Sequence, residues 1–231
     1  MKELSKRHID QYLKKEKGVT RLSKELEFSP HAFYKELKEK GFKTRKEYYS
    51  DLNFKNEELK SRLKDKYNHI TNRCRQVKGH KDNYYKDMEY MRLDEWVEFC
   101  NSKKEKILEL WNEYLKSGKN FKLTISIDRI DTSKGYLPSN VRFVSHGYNT
   151  WRRNIRPIKI KFEGDWHYFM SAEEGSRYFD VRRQSIGDLL RGEYRQISEE
   201  YTVKESNIEE IISHSKVNNE EEYYKKYIYE R

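Results

Sequence analysis

The sequence predicts an α+β fold: a mostly helical modular chain with a central ββα motif and small helix-turn-helix modules at both ends. Three observations predict it. Apolar residues recur at helical spacing through most of the first 120 residues, one strand–loop–strand–helix pattern sits in the middle, and apolar content is too low for a single thick core. Leu, Ile, Val and Phe make up only 49 of the 231 residues, whereas aromatic residues reach 14%. Each aromatic ring buries a large area, so several small aromatic cores are expected.

The first module spans residues 1–52. A polar helix is expected from His8 to Lys17, interrupted by Gly18, with Thr20 as the N-cap of RLSKELEF. Ser29-Pro30 reads as a cap followed by proline at the first helical position, opening HAFYKELKEK, which stops at Gly41. Leu22, Leu26 and Phe28 would pack against Phe33 and Leu37. That is the outline of a helix-turn-helix, and equally of an ordinary helical hairpin. Residues 53–120 form a helical connector. One helix is expected from Lys43 to Gln76, with Tyr48, Leu52, Leu59, Leu63, Tyr67 and Ile70 on its apolar face. A second long helix covers DEWVEFCNSKKEKILELWNEYLK, and SGKN is a turn.

Residues 121–155 carry the ββα pattern: KLTISID as a strand, TSKGYLPSN as a loop, VRFVS as a second strand, then HGYNTWRRN at helical spacing. Residues 156–204 start with a hairpin, KIKF and WHYF around Glu163-Gly164-Asp165. Ser171 would cap AEEGSRYFDV, Ser185 would cap IGDLLRG after the turn Arg182-Arg183-Gln184, and YTVKE returns as a strand. From 205 to 231 a helix is expected, followed by a frayed, acidic, charged end.

Composition excludes several classes. No apolar run is long enough to span a membrane, and the N-terminus lacks the apolar core of a signal peptide, so a cytoplasmic protein without a membrane partner is expected. Two cysteines, Cys74 and Cys100, make neither a disulfide framework nor a four-thiolate metal site. The net charge of +10 points to a polyanion. That charge is densest over residues 121–155, which hold six basic and two acidic side chains.

The chemistry-bearing constellation lies in the same stretch. Asp128 ends one strand and Asn149 sits in the following helix. A compact strand–loop–strand–helix would bring carboxylate and carboxamide face to face, and such oxygen ligands suit Mg²⁺ (or Mn²⁺). The same two residues also suit a strand-end turn and a helix surface. The stretch Asp128-Arg129-Ile130-Asp131, Pro138-Ser139-Asn140-Val141-Arg142-Phe143 and Asn149-Thr150-Trp151-Arg152-Arg153-Asn154 resembles the HNH endonucleases, particularly the phage and intron-encoded homing type. The resemblance covers roughly residues 67–155. It implies metal-dependent hydrolysis of double-stranded DNA, with Asp128 and Asn149 as metal ligands and Asn140 as the residue that holds the loop.

Where that family carries its general-base histidine, this chain has Arg129. Guanidinium cannot accept a proton at neutral pH, though it can clamp a phosphate bidentately. Either another group is the base or the protein no longer cuts and acts as a DNA-binding regulator or anti-defence protein. His146, one helical turn from Asn149, is the first replacement to consider, then His69 and Tyr85, with His80 and Tyr84 further options. Residues 158–204 resemble the DNA-binding repeat behind homing-endonuclease catalytic domains, carried by Ser171-Ala172-Glu173-Glu174 and Ser185-Ile186-Gly187-Asp188-Leu189. In that resemblance Arg182, Arg183 and Gln184 reach base edges. Arg152, Arg153 and Arg156 form a basic tether for phosphate contact, placed equally well to complement a helix C-terminus.

Overall fold

A computed structural model of the chain describes residues 3–75, 83–86, 88–193 and 200–229. It is mostly helical with small antiparallel sheets. The chain divides into two compact units, Met1–His146 and Gly147–Arg231, and the boundary falls inside the expected 121–155 segment.

The first unit begins with helices α1 (Lys6–Leu13), α2 (Val19–Leu26) and α3 (Pro30–Glu39). Leu22, Leu26, Phe33 and Leu37 share a buried core with Leu4, Ile9, Tyr12 and Leu13. Helix α2 starts earlier than Thr20 suggests: Gly18 is extended, and its carbonyl accepts the amides of Arg21 and Leu22 at 3.1 Å. For α3 the cap is Ser29, whose Oγ accepts the Ala32 amide at 3.1 Å. Gly41, at φ +81°, ends it.

The expected helix from Lys43 to Gln76 is two helices, α4 (Arg45–Ser50) and α5 (Glu57–Cys74). Between them Leu52 and Phe54 are buried, Asn101 bonds the backbone of Asp51 and Asn53, and Asn56 caps α5 by accepting the Leu59 amide at 2.9 Å. Likewise the second long helix breaks at Lys103 into α6 (Leu93–Ser102) and α7 (Lys104–Lys116). Leu59, Leu63, Tyr67, Ile70 and Cys74 form the apolar stripe of α5 and join Trp96, Phe99, Ile107 and Trp111 in the main core.

The segment after α1 is a hub. Carbonyls of Tyr12, Leu13, Lys14, Lys15, Glu16 and Lys17 accept bonds from the side chains of Arg45, Tyr67, Tyr90 and Arg75. Polar side chains of the connector thus satisfy a backbone stretch without regular partners, tying the N-terminal helices to α5.

Strands β1 (Ile125–Arg129) and β2 (Val141–Ser145) pair antiparallel, with Asp128 opposite Arg142 and Ile125 opposite Ser145. The strand starts three residues later than KLTISID suggests, because Phe121–Leu123 forms a 3-10 turn capped by Asn120. Alternation puts Ile125, Ile127, Val141 and Phe143 against the main core and Ser126, Asp128, Arg142 and Val144 on the other face.

Helix α8 (His146–Asn154) starts at the last residue of the first unit and runs into the second. There β3 (Ile158–Phe162) and β4 (Asp165–Phe169) form the expected hairpin. Glu163 and Gly164 both have positive φ, the conformation a two-residue hairpin turn requires. Helices α9 (Ala172–Tyr178) and α10 (Arg183–Leu190) follow, and β5 (Tyr201–Glu205) pairs with β3 to give the order β4-β3-β5. Ile158, Ile160, Phe169, Ile186, Tyr201 and Val203 form the core of this layer.

Up to Tyr229 the chain is largely helical, where a frayed end is expected from its charge. Helices α11 (Ile208–Ser215) and α12 (Glu220–Tyr223) and a π-helical turn, Tyr224–Tyr229, pack onto Ile155, Met170 and Trp151. Three glutamates occupy the first turn of α12, where the helix dipole favours them. Among the described residues no helix is long and apolar enough to cross a membrane. Cys74 and Cys100 are free, buried thiols.

Candidate functional site

Asp128 lies near the loop end of the β1–β2 hairpin, 5% exposed. Its Oδ2 accepts a bond from Arg142 Nε at 2.9 Å, directly across the ladder. A buried carboxylate on a strand, oriented by one guanidinium on its neighbour, is a hard-oxygen donor in a fixed place. Carboxylate oxygens are donors of the kind a divalent cation takes, and here one of them is already engaged by Arg142. Asn149, in the opening turns of α8, belongs to the second unit. Among the described residues no group of three or more His, Cys, Asp or Glu side chains gathers where it could hold a metal. Any ion here would therefore complete its shell from carboxamide, water or substrate oxygens.

Asn140 knits the loop that follows β1. Its Oδ1 accepts the Asp131 amide, and its Nδ2 donates to the carbonyls of Asp131 and Gly135, all at 2.9 Å. The loop is also seated on the segment before α6: Tyr136 donates its amide to the Glu89 carbonyl at 2.8 Å, and Met91 donates to Tyr136 at 3.1 Å. Gly135 is required at that seat, because a Cβ there would lie 2.0 Å from the Glu89 oxygen.

Arg129 is the clearest revision to the sequence reading. Its neighbours in the ladder turn it towards the core, where it is 7% exposed. The guanidinium donates to the Lys134 carbonyl at 2.9 Å, contacts Met88 Sδ at 2.8 Å, and lies within 5.3 Å of the ring centroids of Tyr84, Tyr85 and Tyr136. A cation enclosed by three tyrosine faces is a structural pin, and the side chain expected on a phosphate is occupied elsewhere. Tyr85 belongs to the same cage, stacked on Tyr136 and facing Arg73 at 4.7 Å. Arg129→Ala is expected to lower unfolding free energy by about 3 kcal/mol, summing cation–π contacts and a lost buried hydrogen bond. Urea denaturation checks this; a midpoint equal to wild type would show that the cage contributes nothing.

His146 and His69 occupy different places. His146 follows β2, and its amide bonds Thr124. Four residues of strand separate Thr124 from Asp128, about 13 Å along the ladder. The His146 ring meets Phe121 edge-on at 4.6 Å. Burial, and secondarily the ammonium of Lys66, pushes its pKa below the ordinary imidazole value. His69 is exposed on α5. Arg62, Lys66, His69 and Arg73 follow one another at spacings of four, three and four, so they form one stripe beside the apolar one. Lys66 reaches the His146 end of the hairpin, and Arg73 reaches the loop end by donating to the Tyr136 hydroxyl at 2.9 Å. His69 stands between these two cations. His80 lies outside the described residues.

In the second unit Arg182 is the N-cap residue of α10, and Arg183 and Gln184 open the helix. The helix starts before Ser185 because the Arg182 carbonyl already accepts the Ser185 amide at 2.9 Å. All three side chains are exposed, with Arg183 3.8 Å from Glu173. Along the tether, Arg153 and Arg156 are exposed. Arg152 departs from the expectation: its Nε bonds Glu220 at 3.0 Å, and Tyr148 bonds the same oxygen at 3.2 Å. Sequence reasoning missed the contacts of Arg129 with Met88 and of Arg152 with Glu220, which lie 41 and 68 residues away along the chain. No family model, curated protein or solved structure matches this chain.

Proposed function

We propose that the protein is a metal-dependent DNA endonuclease of the HNH-like, homing type. The observation that carries the reading is the buried Asp128 carboxylate, oriented by Arg142 on a β-hairpin whose connecting loop is knitted by Asn140. The α5 stripe of Arg62, Lys66 and Arg73 supports it through positive potential along the first unit; Arg62 bonds Glu58 and Arg73 bonds Tyr136, so the attraction of a phosphodiester backbone would be long-range. Asp128 would hold Mg²⁺ or Mn²⁺. Bound there, the ion would polarise the phosphodiester and stabilise the departing 3′ oxygen.

The remaining work falls to the chain. Arg142 fixes the direction of the Asp128 carboxylate. Proton transfer would pass to His69, which is exposed in the cationic stripe; His146, at the far end of the ladder from Asp128, is out of reach. Arg129 would stabilise the loop from inside and take no part in proton transfer. The exposed Arg182, Arg183 and Gln184 at the start of α10 would read base edges, and Arg153 and Arg156 would contact phosphates.

The test is nicking of a plasmid that carries the natural target, with Mg²⁺ or Mn²⁺ and with chelator as control. Metal-dependent nicking supports the reading. Target binding without nicking in either metal would favour the second reading, a non-hydrolytic DNA-binding descendant, for which the caged Arg129 in the family's histidine position is the specific observation. Arg182→Ala is expected to weaken binding to the target by about 1–3 kcal/mol while leaving random DNA little changed. Competition titrations measure both, and equal losses would make Arg182 a phosphate contact.

A further inference from the structure

A concave pocket of about 660 Å³ opens between α4 and the first turns of α5, lined by Arg45, Lys46, Tyr49, Ser50, Leu52, Glu57, Lys60, Ser61 and Lys64. Four cations face one carboxylate. That carboxylate, Glu57, is already paired with Lys60 at 2.8 Å. Lys46 and Lys64 are exposed, and among the described residues neither has a carboxylate within ion-pair distance. Arg45 is held in place from behind: its Nε donates to the Tyr12 carbonyl at 2.8 Å, its Nη2 to the Lys17 carbonyl at 2.9 Å, and it stacks on the Tyr12 ring at 4.3 Å. These bonds use Nε and Nη2.

The pocket wall also carries excess positive charge. The ammonium groups of Lys15 and Lys64 share the Tyr49 ring, at 5.1 and 5.4 Å from its centroid. The Tyr49 hydroxyl is buried and, among the described residues, has no hydrogen-bond partner. Like charges gathered around one ring raise the energy of the empty pocket, and an anion inside would offset that repulsion.

We propose that this pocket binds a phosphate-bearing ligand, its phosphoryl oxygens held by Arg45, Lys46 and Lys64 with a hydroxyl donor from Ser61. A fixed guanidinium flanked by mobile ammoniums and a hydroxyl matches the multiple charged oxygens of a phosphate group. The site is separate from the hairpin and does not depend on the nuclease reading. The phosphate has two sources, a free polyphosphate or the backbone of a nucleic acid. The pocket is open to solvent, so either source can reach it, and the choice of probe separates them.

Lys15 supplies a second readout. Burial, then Arg45 and Lys64, lower its pKa to about 8, while Asp65 acts in the opposite direction. Its ammonium also lies over Tyr67 and donates to Asn68. An anion nearby raises this pKa, so binding takes up a proton near pH 8 and weakens as pH rises beyond it.

The experiment titrates the full chain with sodium pyrophosphate and, separately, with a 30-base-pair duplex, at matched ionic strength. The Lys46→Ala/Lys64→Ala double variant changes only exposed side chains. Wild-type protein is expected to bind pyrophosphate about tenfold more tightly than the double variant, with proton uptake near pH 8. If the duplex alone shows the lysine-dependent loss, the phosphate belongs to nucleic acid and the site stands. If wild type and double variant are indistinguishable towards both probes, the proposal is overturned.

Discussion

Asp128→Ala abolishes metal-dependent nicking while leaving DNA binding within about threefold of wild type; this is the largest catalytic effect expected of any single substitution. The carboxylate is the hardest oxygen donor buried on the hairpin, and a bound cation contributes several kcal/mol to stabilising transition-state charge. Losing about 4 kcal/mol corresponds to roughly a thousandfold in rate. Most DNA contacts of the proposal lie elsewhere, on α5 and α10, so affinity is little affected. Asp128→Asn separates charge from shape: it keeps a side-chain oxygen opposite Arg142 but not the negative charge, and it is expected to nick no faster than the alanine variant. Single-turnover nicking at saturating protein measures the chemical step. A rate within threefold of wild type for Asp128→Ala would remove this residue from the site.

That site was partly legible in sequence because its information is local. SIDRID and NVRFVS alternate with a period of two, so the strands, their pairing and the face shared by Asp128 and Arg142 follow from residues fewer than twenty apart. Turn chemistry was equally readable: Ser29-Pro30, Ser171 and Glu163-Gly164 each act within three or four residues. What escaped depends on distant partners. A continuous apolar pattern from Lys43 to Gln76 conceals a break, because Leu52 and Phe54 are buried through contacts that Asn101 anchors from α6. Ser185 resembled a cap, yet helix α10 had already begun at Arg183. The acidic end looked self-repelling, but Glu220 bonds Tyr148 and Arg152, and Tyr223 stacks on Trp151 at 6.2 Å. The cage around Arg129 combines Met88, Tyr84 and Tyr85 with a loop residue, Tyr136, a juxtaposition no local pattern encodes.

An effect on stability as large as that of Arg129→Ala is expected at the loop itself, from Asn140→Ala and Gly135→Ala. Asn140 is 5% exposed, and its side chain satisfies one backbone amide and two carbonyls. Alanine leaves those groups without these partners in a place that water reaches poorly, at about 1 kcal/mol each and about 3 kcal/mol together. For a unit of this size that corresponds to a fall of roughly 6–12 °C in Tm. Gly135→Ala acts on the same element by another route. The new methyl group cannot coexist with the Glu89 carbonyl oxygen at 2.0 Å, so the loop must lift from its seat and give up the bonds joining Tyr136 to Glu89 and Met91. Since lifting also opens the tyrosine cage around Arg129, the two substitutions should be less than additive: once one has freed the loop, little remains for the other to lose. Thermal melts of both single variants and the double variant check the argument. Single variants melting within 2 °C of wild type would show that the loop is not held by these contacts, and strict additivity would show that Asn140 and Gly135 secure different parts of the molecule.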